Sequence, residues 1–269
     1  MREITSKDNK IFRHALSLKT KKYRDRNGEY LIEGPNLLKE ALKEEIDVEA
    51  VFVRPEMTDE EAEIIEEGPG LDRKTFVLSN RLFDELKDTE TSQGIVTVVR
   101  KRQNVSHEGT PGGNCVVLDR LQDPGNIGTI LRTADAAGFE MAVFMKGTAD
   151  PYGPKVVRSA CGSLFRLPIV FIEDAEELAE LVHAAGKRLI ATAMDAEKAY
   201  YECDLERDAA IIIGNEGNGI SPELISGADE KISIPMAGNT ESLNAAVAAG
   251  ILMYERIRRQ NERSVTANP

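Results

Sequence analysis

The sequence predicts an α/β protein of two units, the second built on a parallel sheet. Three observations carry this. Short β-branched runs alternate with helical periodicities along most of the 269 residues. The run Ala209–Ile213, A-A-I-I-I, is apolar throughout, as suits a strand buried on both faces of a parallel sheet. A polar, glycine-rich stretch at 103–113, Q-N-V-S-H-E-G-T-P-G-G, lacks hydrophobic periodicity and reads as a linker. The division is therefore 1–102, linker 103–113, and 114–269. His107 falls in the linker and is assigned no chemistry.

The first unit opens with Lys10–Lys22, polar and basic, with Ile11, Ala15 and Leu18 at helical spacing. Glu29–Glu33 is a short strand, and Asn36–Glu45 a helix with Leu37, Leu38, Ala41 and Leu42 inward. Ala50–Val53 is a strand stopped by Pro55. Thr58–Glu67 is an acidic helix whose apolar side is Ala62, Ile64 and Ile65. A strand at Thr75–Leu78, a helix at Asn80–Leu86 and a strand at Gly94–Val99 complete a small α/β domain.

The second unit starts with a buried strand, Cys115–Leu118. Leu121–Ile127 contains Asp-Pro-Gly and reads as a loop, followed by a helix over Gly128–Ala137 with Gly138 past its end. Met141–Met145 is a strand, Lys155–Ala160 begins a helix, and Phe165–Pro168 and Ile169–Ile172 are extended. Asp174–Ala185 is a helix ended by Gly186. Strands follow at Arg188–Thr192, Ala209–Ile213 and Lys231–Ile234. Leu243–Gln260 is a long closing helix with a basic end.

Hydrophobic content of 41% and charged content of 30% describe an ordinary water-soluble balance. No apolar run is long enough to cross a bilayer, and the N-terminus lacks the apolar core of a signal peptide. Cys115, Cys161 and Cys203 are far apart and odd in number, which fits a reducing cytoplasm and no zinc pattern; no metal is expected. The net charge of −12 argues against a polyanionic partner, but the charge is uneven. Residues 1–26 hold nine basic side chains (Arg2, Lys7, Lys10, Arg13, Lys19, Lys21, Lys22, Arg24, Arg26) against three acidic ones, a local +6. Such a face can bind phosphates on an acidic molecule, although a solvated helix face has the same composition.

Three motifs carry the chemistry. The first is N-I-G-T-I-L-R-T-A-D-A-A-G-F, Asn126 to Phe139, with Arg132 in a helix of small and apolar residues. An exposed helix arginine is the commoner reading of such a residue. The second, Gly214–Ser221, reads G-N-E-G-N-G-I-S and leaves the carboxyl end of the isoleucine strand, where open α/β sheets bind ligands. The third is I-P-M-A-G-N-T-E-S-L-N-A-A-V-A, Ile234 to Ala248, with Ser242 as a plain helix cap or something more.

In this order and spacing the motifs closely resemble the SpoU (TrmH) family of RNA ribose 2′-O-methyltransferases, of the SPOUT class. The match covers nearly all of Leu118–Glu255. Residues 1–102 resemble the family's N-terminal RNA-binding domain more loosely, mainly through Tyr30–Ala41, Y-L-I-E-G-P-N-L-L-K-E-A. The resemblance implies a C-terminal parallel-sheet domain tied in a trefoil knot, a departure from the rule that chains do not thread loops. It also implies a homodimer and S-adenosylmethionine as cofactor. It gives catalytic roles to Asn126, Arg132, Glu216, Ser242 and Asn244. Cofactor contacts fall to Thr192, Ala193, Gly214, Asn215, Glu216, Gly217, Ile234, Pro235, Met236, Ser242 and Leu243. One departure stands out: the helix after Asn244 reads A-A-V-A where the family usually has V-S-V-A, so Ala246 lacks a hydroxyl.

Methyl transfer from a sulfonium needs alignment and a strengthened 2′-oxygen. A guanidinium is a poor base, so Arg132 is expected to hold the adjacent phosphate or the developing alkoxide. Asn126, Ser242 and Asn244 would fix the ribose, and Glu216 would orient Arg132 or the loop. The 2′-hydroxyl makes the substrate RNA, with ribosomal RNA first and transfer RNA its rival. A Rossmann nucleotide site would need G-x-G-x-x-G after an early strand, which is absent, as is a phosphate-binding P-loop. A non-catalytic RNA binder would tolerate eroded cofactor loops, and these are intact by pattern.

Overall fold

The computed structural model describes residues 1–91, 93–102, 113–205 and 208–266, with side chains to residue 262. The linker, His107 included, lies outside them except for Gly113. In chain order come β1 (Arg2–Ile4), α1 (Lys10–Ser17), α2 (Lys21–Asn27), β2 (Glu29–Glu33), α3 (Pro35–Lys43) and β3 (Val48–Val53). Then follow α4 (Asp59–Glu67), α5 (Leu71–Lys74), β4 (Thr75–Leu78), α6 (Asn80–Leu86) and β5 (Ile95–Arg100). After the linker come β6 (Cys115–Leu118), α7 (Pro124–Ala136), β7 (Met141–Met145), α8 (Pro154–Ala160), β8 (Ile169–Ile172) and α9 (Ala175–Ala184). The chain ends with β9 (Arg188–Thr192), β10 (Ala209–Ile213), α10 (Pro222–Gly227), β11 (Glu230–Ile232) and α11 (Ala245–Thr266).

Two compact units result. The first is Met1–Gln103 with Asp150–Phe165; the second is Asn104–Ala149 with Arg166–Pro269. The segment Asp150–Phe165, which the sequence division left with the second unit, thus belongs with the first. Two rows of apolar residues explain the first unit's five-stranded sheet, ordered β1-β4-β3-β5-β2 with β5 antiparallel to both neighbours. Phe12 and Ala15 of α1, Leu18 just past its end, and Leu82, Phe83 and Leu86 of α6 cover Phe52, Phe76, Leu78, Val96 and Val98. Thr58 and Glu61 close a capping box at the start of α4.

The second unit is a six-stranded sheet, ordered β11-β9-β10-β6-β7-β8 and parallel throughout. Ile211, Ile212 and Ile213 pair with Val116, Val117 and Leu118 in register. Both faces are covered, which is why the runs are apolar without alternation. Leu178, Leu181 and Val182 of α9 and Leu224 of α10 pack on Cys115, Val117, Val143, Leu189 and Ile212. Residues one step along each strand, such as Val116 and Ile211, face the opposite side, where α11 packs on β10 and α7.

Several boundaries differ from expectation for identifiable reasons. α7 begins at Pro124 rather than Gly128, because Asp123 caps it by accepting the Asn126 N–H (2.8 Å) and proline fits the first helical turn. The basic stretch at the start of the chain is two helices, α1 and α2, not one. Part of the expected extended run at Phe165–Pro168 is a 3-10 turn, Ser163–Phe165. The last strand stops at Ile232, and Ser233 makes only an isolated bridge to Ala199.

Within the first unit, Asp150–Phe165 is held by charge and by rings. Arg24 donates to Asp150 Oδ2 through Nε (3.0 Å) and Nη2 (2.5 Å), and through Nη1 to the carbonyls of Leu18 and Lys19. Tyr152 lies 4.9 Å from Tyr30 between ring centroids, and Lys101 Nζ sits over its face. The Arg24 and Asp150 side chains are 6% and 12% exposed, so removing one leaves a charge with little water. Arg24→Ala should lower stability in urea denaturation by about 3 kcal/mol or more.

Candidate active site

Four loops leave the carboxyl ends of four adjacent strands. In sheet order they follow β11, β9, β10 and β6, so segments 234–243, 193–199, 214–221 and 119–123 emerge side by side. Ligands of open parallel sheets bind at this end. Every residue singled out above for catalysis or cofactor binding lies on these loops or on the helices they start, except Thr192, the last residue of β9.

Three of them form one hydrogen-bonded line. Asn126, in the first turn of α7, donates through Nδ2 to Glu216 Oε1 (3.1 Å) and accepts through Oδ1 from Asn244 Nδ2 (2.8 Å). Asn244 Oδ1 in turn accepts the N–H groups of Ala246 (2.9 Å) and Val247 (3.3 Å), capping α11. The cap is therefore Asn244, not Ser242; Ser242 is exposed in the irregular segment before it. Ala246, the position without its hydroxyl, is buried in the first turn.

Glu216 is engaged with the loop rather than with Arg132. Besides Asn126 it accepts from the N–H groups of Gln122 (3.4 Å) and Asp123 (3.3 Å). Burial pushes its carboxyl up, but hydrogen bonds from Asn126, from its own N–H and from Asp123 and Gln122 outweigh this and hold it below the ordinary value. Arg132 lies on α7 six residues beyond Asn126, exposed. Six residues of helix turn it to a different face from Asn126.

The glycine loop folds back on itself through Asn215. Its backbone exchanges two hydrogen bonds with Gly219 (3.0 and 2.9 Å). Its Oδ1 accepts from the N–H groups of Gly217 and Asn218, both at 3.0 Å, while Nδ2 donates to the Arg120 carbonyl (2.8 Å). A Cβ on Gly214 would stand 2.4 Å from the backbone of Gly219 and Ile220, so no side chain fits. Thr192 Oγ1 donates to the Ile212 carbonyl (3.0 Å), and the Ala193 N–H to the Ile232 carbonyl (2.9 Å), fixing the loop after β9. Ile234 is half-buried and Pro235 exposed; Met236 and Leu243 present partly exposed apolar side chains. Such loops, with backbone groups and apolar surface at one sheet edge, fit an adenosyl group bound by main chain and contact. Among the described residues no cluster of His, Cys, Asp or Glu could hold a metal ion, and no helix is long and apolar enough to cross a membrane.

Two residues escaped the sequence reading. Asp119, which follows β6, is 2% exposed and accepts the Ser221 N–H at 2.6 Å. Arg120 follows with φ +55°. The available signal was a carboxylate directly abutting an all-apolar strand.

The SpoU rRNA Methylase family model matches residues 113–254, and the MRM3-like substrate binding domain matches residues 9–97. The chain belongs to the SpoU rRNA methylase family. It is 36% identical to the 23S rRNA (guanosine(2553)-2′-O)-methyltransferase RlmP of Bacillus subtilis, over 94% of this chain and 98% of that one. Among solved structures it resembles the SpoU methyltransferase AviRb of Streptomyces viridochromogenes in complex with AdoMet (TM-score 0.84, 30% identity, 94% and 98% of the two chains). It also resembles the AdoMet-bound rRNA methyltransferase of Sinorhizobium meliloti (TM-score 0.83, 31%, 96% and 98%).

Glu216 has its pKa lowered by folding, so its contribution to stability is present above the ordinary value of 4.5 and lost as pH falls through the lower folded value. Wild type should exceed Glu216→Gln in stability at pH 7. The gap should close on acidification below 4.5, as followed by denaturation across that range.

Proposed function

We propose that this chain is an S-adenosylmethionine-dependent methyltransferase acting on a ribose 2′-hydroxyl of RNA, with ribosomal RNA as substrate. The observation that carries the reading is the line Glu216–Asn126–Asn244, which joins the three family motifs at one sheet edge. S-adenosylmethionine supplies a methyl already activated on a sulfonium. Thr192, Ala193, Gly214, Asn215, Glu216, Gly217, Ile234, Pro235, Met236, Ser242 and Leu243 would hold it. Asn126, Ser242 and Asn244 would place the ribose, and Glu216 would hold the loop that presents Asn126. Arg132 would stabilise the developing negative oxygen or bind the neighbouring phosphate. The trefoil knot belongs to the same reading; the strand order β11-β9-β10-β6-β7-β8 and the packing of α11 on α7 support it. Transfer RNA is the alternative substrate, and a cytoplasmic location accompanies either.

Residues 1–102 would bind the RNA, and 114–269 would carry out the transfer. The first unit narrows the basic face counted from sequence. Arg24 is buried on Asp150, Lys19 donates to the carbonyls of Glu85 and Lys87, Lys7 pairs with Glu85 and Lys21 with Asp25. Lys10 and Arg13 on α1 and Lys22 and Arg26 on α2 are exposed, with no ion pair among the described residues. Together with the partly exposed ring of Tyr23 they suit a phosphate backbone with a stacked base.

Calorimetry with S-adenosylmethionine and mapping of 2′-O-methyl groups on ribosomal RNA test the assignment. Cofactor binding is expected, with methylation lost on a 2′-deoxy substrate; a protein that binds RNA but no cofactor would be a pure RNA binder. Arg132→Ala should lower turnover by about a hundredfold or more with cofactor affinity retained, and Arg132→Lys should not restore the full rate.

A homodimer completes the proposal. Val247 and Tyr254, 52% and 51% exposed, stand on one stripe of α11 with Ile251 between them. Tyr254→Asp should shift light-scattering mass from dimer to monomer; an unchanged mass would remove this face from the interface.

A further inference from the structure

Arg120 occupies a left-handed backbone conformation, φ +55°, that glycine or asparagine would adopt at less cost. Its backbone is locked by groups that do not touch its side chain. The N–H donates to Thr148 Oγ1 (2.9 Å), and the carbonyl accepts from Asn215 Nδ2 (2.8 Å) and Gln122 Nε2 (3.1 Å). These contacts would serve any residue. The choice of arginine must therefore lie in the guanidinium. Strained backbone at a ligand-binding edge points the same way.

The guanidinium is oriented from beneath. Asp119, with a side chain 3% exposed, accepts from Arg120 Nε through Oδ1 (3.1 Å), and its Oδ2 holds the Ser221 N–H. The aliphatic stem lies over Gly147, where a Cβ would come within 3.2 Å of Arg120 Cγ. The side chain is 40% exposed, and Nη1 has no hydrogen-bond partner among the described residues. The loops after β6 and β10 carry three carboxylates, Asp119, Asp123 and Glu216. A polyanion approaching this edge would be repelled without a fixed cation, and Arg120 is anchored at the junction of the loops after β6, β7 and β10.

We propose that Arg120 is a substrate-binding residue whose guanidinium, clamped by Asp119, takes a phosphodiester oxygen of the RNA strand at the mouth of this site. The assignment rests on the RNA reading above. It differs from the role given to Arg132, which lies elsewhere on α7 and acts on the reacting oxygen or its neighbour.

Arg120→Asn keeps the left-handed backbone accessible and removes the charge. The probe is an unmodified transcript of bacterial large-subunit ribosomal RNA, bound at several salt concentrations. The RNA Kd should rise about tenfold and the slope of log affinity against log salt should fall by about one ion. S-adenosylmethionine affinity should stay within about twofold. Arg120→Lys should retain the slope, having kept the charge. Unchanged RNA affinity and slope in Arg120→Asn would overturn the proposal. So would a parallel loss of cofactor affinity and thermal stability in both variants, which would make Arg120 a support for Asp119 alone. Wild-type protein that binds the cofactor but not this RNA would instead overturn the ribosomal substrate on which the proposal stands.

Discussion

The direction of one amide depends on one charge. An ionised carboxylate only accepts, so Asn126 must turn its NH₂ toward Glu216. Its oxygen then faces Asn244, which must answer with its own NH₂. That leaves the Asn244 oxygen for the opening N–H groups of α11, which have no helical partner and need an acceptor. Donors thus run head to tail from a helix start to a carboxylate. The positive end of the helix and the negative charge of Glu216 favour the same direction. A chain whose two ends impose one polarity has a single low-energy arrangement, and the site inherits that definition.

Placing those groups falls to the sheet. Parallel strands send their carboxyl-terminal loops to one edge, and the order β11-β9-β10-β6 makes neighbours of segments 95 residues apart in sequence, as where Asn215 meets Arg120. Asp119 ties the base of that edge: it is buried beneath the glycine loop and accepts the Ser221 N–H. Gly214 allows the loop to close on itself where a methyl group would collide with backbone. Thr148 joins in from the loop after β7, donating to the Leu118 carbonyl and accepting from the Arg120 N–H. Few of these contacts involve apolar burial. The sheet supplies the stability, and the loops use hydrogen bonds for geometry.

Strands were legible in the sequence wherever burial was complete, because a run such as Ile211–Ile213 is apolar without alternation, as a strand covered on both faces must be. The resemblance added the pairing of distant motifs, which composition could not supply. What escaped were decisions made by tertiary partners. Ser242 and Asn244 are both good cap residues, and only the Asn126 oxygen selects the second. Arg24 looks like its basic neighbours until Asp150, far along the chain, buries it. Short elements such as β1 and α10 carry too few residues to show a period. The start of α7 was hidden for a local reason: Asp-Pro-Gly is turn chemistry and also a capped helix start, and the Asn126 N–H resolves it.

The acidity of the whole chain and a polyanionic substrate are reconciled by where the charges lie. Several carboxylates face basic groups inside the fold: Asp150 meets Arg24, Glu230 meets Arg188 and Lys198, and Glu255 meets Arg258 and Arg259. The last two guanidiniums draw the Glu255 carboxyl down to about 2. Asp150 with Arg24 is neutral as a unit, and Glu230 and Glu255 each face two cations, so these groupings add no negative field at a distance. The repulsion an RNA strand would feel near α1 and α2 depends on the charges within reach, and there Lys10, Arg13, Lys22 and Arg26 stand exposed. Field strength falls within about 10 Å at moderate salt. Local groups, not the total of −12, set what binds.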